Sequence, residues 1–172
     1  MTDAKFIPLT VAVLTVSDTR TEDNDTSGRT LVERIEGAGH RLAEKRIVPD
    51  DVYRIRAVLS GWIADPDIQV ILTTGGTGVT GRDSTPEAVA VLFDKEIEGF
   101  GEMFRMISWE EIQTSTMQSR ALAGVANGTY IFCIPGSSGA CRTAWDKLIS
   151  HQLDHRTQPC NLAQLFPRLL ER

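Results

Sequence analysis

The chain has 172 residues, of which 41% are hydrophobic and 24% charged, with a formal net charge of -5. That composition excludes an intrinsically disordered chain, and the length suits one core, so residues 1–172 read as a single domain with an N-terminal extension over 1–9 and a C-terminal tail over 157–172. The acidic balance excludes nonspecific nucleic-acid binding, which needs a basic face to displace counterions, so any phosphate held here belongs to a small ligand.

Along the chain, Met1 to Leu9 carries Asp3 and Pro8 and has no apolar core, so a signal peptide is not expected there. Val11 to Val16 is a short apolar run ending at Ser17 and Asp18, the pattern of a buried strand emptying into a polar loop. A helix is expected to start at Asp25, Thr26 and Ser27, with Leu31, Val32 and Ile35 on one face and Gly37 and Gly39 closing it. Arg41 to Val48 reads as a more exposed strand stopped by Pro49, followed by a helix that Asp50 and Asp51 introduce and Ile55, Val58, Leu59 and Ile63 continue. Ile68 to Thr74 is the most strand-like run and ends in the glycine-rich segment Gly75 to Gly81.

Ser84 or Thr85 as cap, Pro86 at the first helical position and Glu87 in the first turn mark the next helix start, with the helix expected to reach Asp94. A further helical region is expected from about Glu102 to Ala123. Thr129 to Ile134 reads as a buried strand broken by Pro135 and Gly136, and Ser138 to His155 as a closing helix. No run is apolar and long enough to span a bilayer, and Cys133, Cys141 and Cys160 form no CxxC pair, so a reducing cytosol is the expected setting. Uniformly apolar strands alternating with helices imply an α/β fold whose mostly parallel sheet is covered on both faces, with ligands at the strands' carboxyl ends.

The loop from Thr73 to Glu87 is the sharpest chemical feature, because its glycines let backbone N–H groups approach an anion closely. Gly76, Gly78 and Gly81 satisfy GxGxxG, but the loop follows a later strand and Pro86 delays its helix, which argues against a dinucleotide fingerprint. Gly76 and Gly81 also have Walker A spacing, yet Arg82 and Asp83 stand where that loop needs Lys and Ser or Thr. Asp18, Asp50 and Asp83 each lie just beyond an expected strand, so one sheet edge gathers three carboxylates, an arrangement Mg2+ favours. Pro135 to Gly139 offers a second small-residue turn, and Ser115, Ser119 and Arg120 contribute hydroxyls and a charge. His151 and His155 share a helical face but lack the glutamate and third ligand of a metal site.

The TTGGTG of Thr73 to Gly78 followed by RDSTPEA at Arg82 to Ala88 resembles the signature of the MoaB/Mog family of molybdenum cofactor biosynthesis. TVSD at Thr15, DTSG at Asp25, GFGEMFR at Gly99, SRALAG at Ser119 and PGS at Pro135 extend the resemblance over nearly the whole chain. ACRTAWDKLI and QLDHRTQPCN are similar to the MoaB branch in particular. The resemblance implies a three-layer α/β/α molybdopterin-binding fold and a homo-oligomer, trimeric in the Mog branch and commonly hexameric in the MoaB branch. Active members of the family use Mg2+ and ATP to transfer AMP onto the terminal phosphate of molybdopterin, releasing pyrophosphate. Carried onto this chain, Asp50 and Asp83 are the catalytic and metal-holding pair; Ser17, Asp18, Gly75, Gly76, Thr77, Gly78 and Arg82 take the nucleotide phosphates; and Ser119, Arg120, Pro135, Gly136, Ser137 and Ser138 take the pterin. The alternative is a noncatalytic molybdopterin-binding or carrier protein of the same pathway.

Overall fold

Six strands, Thr10–Val16 (β1), Arg41–Val48 (β2), Val70–Thr74 (β3), Lys95–Glu96 (β4), Leu122–Ala126 (β5) and Thr129–Ile134 (β6), form one sheet in the order β2-β1-β3-β6-β5-β4. The structure, a computed structural model, describes residues 4–172; Met1 to Asp3 of the expected N-terminal extension lie outside the described residues. β2, β1, β3 and β6 run parallel, whereas β5 is antiparallel to both β6 and β4. Because β1 has β2 on one side and β3 on the other, the connections diverge there, which opens a crevice beyond the strand ends.

Strand periodicity explains the layering. On β1, Val11 and Val13 enter a core with Leu31 and Ile35 of α1 (Thr26–Gly37), Phe100 and Phe104 of α4 (Glu98–Ile112), and Cys141 and Ala144 of α5 (Ser138–Ala144). Ala12, Leu14 and Val16, pointing the other way, enter a second core with Ile55, Leu59 and Trp62 of α2 (Val52–Ala64) and Ala88 and Val89 of α3 (Thr85–Ala90). The same split divides β6, with Tyr130, Phe132 and Ile134 on one side and Ile131 and Cys133 on the other. Two apolar layers flanking one sheet give the expected three-layer α/β/α architecture, and each fully buried Leu or Ile contributes roughly 1.5–3 kcal/mol.

The expected helix from Glu102 to Ala123 is corrected by the structure. α4 stops at Ile112, where Gln113 takes a φ of 52°, a 3₁₀ turn covers Gln113–Gln118, and the chain then extends as β5. Its partner is β6, joined by Asn127 (φ 48°) and Gly128 (φ 78°), the left-handed pair that matches a two-residue hairpin to strand twist. α3 is also shorter than expected, because Asp94 N–H turns to donate to Val125 O at 2.7 Å on β5. The closing helix is continuous but not uniform: α5 passes through a π-helical Trp145–Ile149 into Ser150–Gln152 (α6). From Thr157 the chain returns to the sheet, where Leu162 O accepts from Tyr130 Oη at 2.7 Å and the Phe166 ring packs edge-on against Tyr130. Among the described residues, no helix is long and apolar enough to cross a membrane.

Candidate active site

Hydrogen bonds just beyond the carboxyl ends tie β1 to β2 and β3 to β6 along one rim. Gly75 N–H donates to Ile134 O at 3.0 Å, Thr74 Oγ1 to Pro135 O at 3.1 Å, and Ser17 N–H to Val48 O at 2.9 Å. Above this rim opens a cleft of about 640 Å³. One wall is the β1 end and the glycine loop; the other is the carboxyl end of α4, the 3₁₀ turn after it, and the turn into α5.

The glycines are dictated by contact. Gly75 has φ 102°, and a Cβ on it would lie 2.2 Å from Val16 O, so no side chain fits between β1 and β3. Gly76 has φ 69°, and its Cβ would meet Thr85 Oγ1 at 2.3 Å and Asp50 Oδ1 at 2.7 Å. Thr85, fully buried, fixes the loop from beneath, donating its hydroxyl to Gly75 O at 2.8 Å and its N–H to Gly76 O at 3.0 Å. Thus the Gly75 amide is spent on the sheet, whereas the Gly76 and Thr77 amides have no protein acceptor among the described residues.

The carboxylates differ in environment. Asp50 is half-buried and its Oδ1 is shielded from solvent without a hydrogen-bond partner. Burial pushes its carboxyl above the ordinary range, with the Asp18 and Asp83 charges adding to the effect against the Ser84 N–H and Arg82. Asp83 is held below that range by the Thr80 hydroxyl, which donates to Oδ2 at 2.7 Å, helped by the Thr80 and Gly78 N–H groups. Asp18 is lower as well, because Arg82 grips it in a fork, Nε to Oδ2 at 2.9 Å and Nη2 to Oδ1 at 2.7 Å. Asp18 Oδ1 also accepts the Asp50 N–H at 3.0 Å, so one carboxylate orients both the Asp50 backbone and the Arg82 head.

Of the positions singled out from sequence, Ser17, Asp18, Asp50, Gly75, Gly76, Thr77, Gly78, Asp83, Ser119, Pro135, Gly136 and Ser137 all line the cleft. Ser119 Oγ is a second shielded, unpartnered oxygen there. Arg82 stands at the rim, and Ser138 begins α5 just behind Ser137, whose hydroxyl accepts the Ala140 N–H. Arg120 has its guanidinium directed at the glycine loop, to Gly78 O at 2.7 Å.

Several supporting residues escaped the sequence reading. Arg105 Nη1 donates to Ala121 O at 3.0 Å, fixing the segment that carries Ser119. Asp25, only 1% exposed, accepts from Thr15 Oγ1 at 2.7 Å and pairs with Lys45 Nζ at 2.8 Å beneath the β1 end. Burial pushes the Asp25 carboxyl up, but Lys45, Thr15 and the Gly28 N–H together bring it below its ordinary value. Its sequence signals were its place in the DTSG stretch and as a helix cap, the second of which the Gly28 N–H at 3.0 Å bears out.

The chain is similar in sequence and fold to known proteins. Residues 12–155 match the family described as a probable molybdopterin binding domain. The chain is 59% identical over 157 residues to Molybdenum cofactor biosynthesis protein B of Escherichia coli (strain K12), covering 91% of this chain and 92% of that protein. A crystal structure of a Molybdenum cofactor biosynthesis protein B superimposes with a TM-score of 0.83 at 47% identity, covering 86% of this chain and 92% of that one. The tungsten cofactor synthesizing protein MoaB from Pyrococcus furiosus follows at a TM-score of 0.77 and 37% identity, covering 84% and 92%. With its glycine loop and rim turns inside the matched region, the chain belongs to the molybdopterin-binding MoaB/Mog family of molybdenum cofactor biosynthesis.

Proposed function

We propose that this chain adenylylates molybdopterin, using Mg-ATP and releasing pyrophosphate. The observation that carries the reading is the shielded, unpartnered Asp50 Oδ1, set against a glycine loop whose Gly76 and Thr77 amides have no protein acceptor among the described residues. An acceptor without a donor beside donors without acceptors fits a cation and the anion that accompanies it. Among the described residues no group of three or more His, Cys, Asp or Glu side chains is placed to hold a metal. Two aspartates alone suit Mg2+, which takes few protein carboxylates and completes its shell with water and phosphate oxygens.

In this reading a terminal phosphate oxygen of molybdopterin attacks the α-phosphorus of ATP. The new P–O bond forms as the α–β anhydride bond breaks, and that electron pair leaves with pyrophosphate. Asp50 and Asp83 would hold Mg2+, which would supply charge neutralisation on the phosphate oxygens. The Gly76 and Thr77 amides donate to those oxygens, and Arg82 adds positive charge at the rim, where Asp18 holds it. Ser119, Ser137 and the Pro135–Gly136 turn receive the pterin on the opposite wall. Catalysis here is positioning and electrostatics, since the protein forms no covalent bond to either substrate.

The test is incubation of the pure protein with molybdopterin and Mg-ATP, following adenylylated pterin and pyrophosphate together. Asp83→Asn is expected to abolish transfer while leaving folding and pterin binding intact; undiminished turnover would reject the role given to Asp83. Pterin binding by the unaltered protein without pyrophosphate release would instead favour the noncatalytic carrier.

A further inference from the structure

Arg120 sits where the 3₁₀ turn after α4 gives way to β5, next to Ser119 on the wall proposed for the pterin. Its donors go elsewhere. Nε donates to Gly78 O at 2.7 Å, Nη2 to Asp83 O at 3.2 Å, and Nη1 and Nη2 both reach the Glu87 carboxylate. Its backbone N–H donates to Thr77 O at 3.1 Å. Four of the five guanidinium N–H groups are thereby taken by the glycine loop and the helix that follows it.

Glu87 is itself anchored. It lies in the first turn of α3, whose start is pinned by Thr85 to Gly75 and Gly76, and Arg56 Nη2 donates to Glu87 O at 3.0 Å. The loop is therefore fixed at its base by Thr85, while its outer limb, where Val79 to Arg82 are exposed, is held from the side by Arg120. Gly78 and Asp83 belong to that limb, and Asp83 in turn orders Thr80 through its N–H at 2.9 Å.

We propose that Arg120 and Glu87 are a positioning pair: together they lock the outer limb of the glycine loop, setting Asp83 and the Thr77 amide in register with Ser119 across the cleft, and Arg120 does not bind the pterin. Its effect on catalysis rests on the adenylyl-transfer reading; the lock on the loop does not. A planar fork is required because the acceptors Gly78 O, Asp83 O and the Glu87 carboxylate lie around one centre, and a lysine ammonium on its flexible stem cannot satisfy them together.

The test compares the full-length protein with Arg120→Lys and Glu87→Gln by amide hydrogen exchange without ligand, and by separate titrations with Mg-ATP and with molybdopterin. Exchange over residues 77–83 is expected to rise at least about tenfold in Arg120→Lys, the loss that one charge-assisted hydrogen bond sustains, while β1, β3 and β6 stay protected. Mg-ATP affinity should fall about tenfold and molybdopterin affinity less than about threefold, a split that general destabilisation would not produce. Glu87→Gln, a change at an exposed helix position, keeps the question answerable should Arg120→Lys fold poorly, and should move exchange in the same segment. Wild-type exchange in both variants would overturn the lock. A tenfold loss of molybdopterin affinity with Mg-ATP affinity unchanged would overturn the positioning role and return Arg120 to the pterin. Because exchange is measured on ligand-free protein, it tests the lock whether or not pyrophosphate is ever released.

Discussion

Asp50→Asn should make the ligand-free protein more stable while removing its response to magnesium. The carboxylate that the native state must hold is half-buried, one oxygen is shielded without a partner, and the Asp18 and Asp83 charges act on it unfavourably. What the substitution relieves is the charge, held in a half-buried site beside two like charges, and the partial solvent access of this side chain limits that relief to about 1 kcal/mol. Asparagine keeps the shape and removes the charge, so at neutral pH the melting temperature should rise by about 2–4 °C for a chain of this length. The pH dependence follows from the raised native pKa. As pH climbs from the ordinary value of 3.8 through the higher native value, the unfolded chain releases this proton first, so wild-type stability falls across that window and is level above it. The asparagine variant lacks this descent, and the gap between the two proteins should open over the same interval. On the proposed magnesium role, adding Mg2+ should reverse the order, because ligand at a hundredfold excess over Kd adds about 2.7 kcal/mol to a protein that binds it only when folded. Calorimetric unfolding in chelator and then in Mg2+ reads every part of this. A variant that melts below wild type in chelator at pH 7, or equal magnesium shifts in both proteins, would refute the reasoning.

Gly75→Ala should cost roughly 2–4 kcal/mol in denaturant titration, because the new methyl meets Val16 O at 2.2 Å and the residue must keep a φ of 102°; an unchanged midpoint would mean β1 and β3 are not so closely apposed. Asp25→Asn removes a buried charge that Lys45 pairs with, and because Lys45 keeps Glu22 at 2.9 Å the cost at neutral pH should be about 1.5–3 kcal/mol, that of a hydrogen bond to a charged group. Its native pKa is depressed, so its contribution is complete above the ordinary carboxylate value of 3.8 and lost as pH falls through the native one; the variant should accordingly show a shallower acid limb in urea titrations carried from pH 3.8 downward. Asn127→Ala should cost about 1–2 kcal/mol because alanine tolerates a φ of 48° poorly, and Asn127→Gly should cost less; equal losses in thermal melts would shift the explanation to the Asn127 Nδ2 bond to Ile63 O.

What could be read from the sequence divides along a physical line. β1, β3 and β6 were legible because burial on both faces forces continuous apolar runs, and the glycine loop because glycine is retained where backbone must approach backbone, as at Gly75. β5 was not legible, since Leu-Ala-Gly-Val-Ala offers little β-branching and follows helix-forming residues without a break; the Asn127-Gly128 turn was the overlooked signal. β4, two residues long, has no periodicity to detect. At the cleft, residues whose chemistry is local to their own loop, such as Asp50 just past β2 and Asp83 at the far end of the glycine loop, were found. Where the role is a long-range bond, the residue could be singled out but not its contact: Arg120 meets the glycine loop across 42 positions of sequence, and no spacing rule links the two. The physical reason is that a strand's or loop's composition is set by its own backbone geometry, whereas a side chain that braces a loop answers only to carbonyls and carboxylates brought near by the finished fold. The same reasoning separates Arg82 from Arg120. Both lie beside the cleft, yet Arg82 is bound to one exposed carboxylate and remains available to an incoming phosphate, whereas Arg120 is held by four acceptor contacts and would have to break the loop's own geometry to take a ligand.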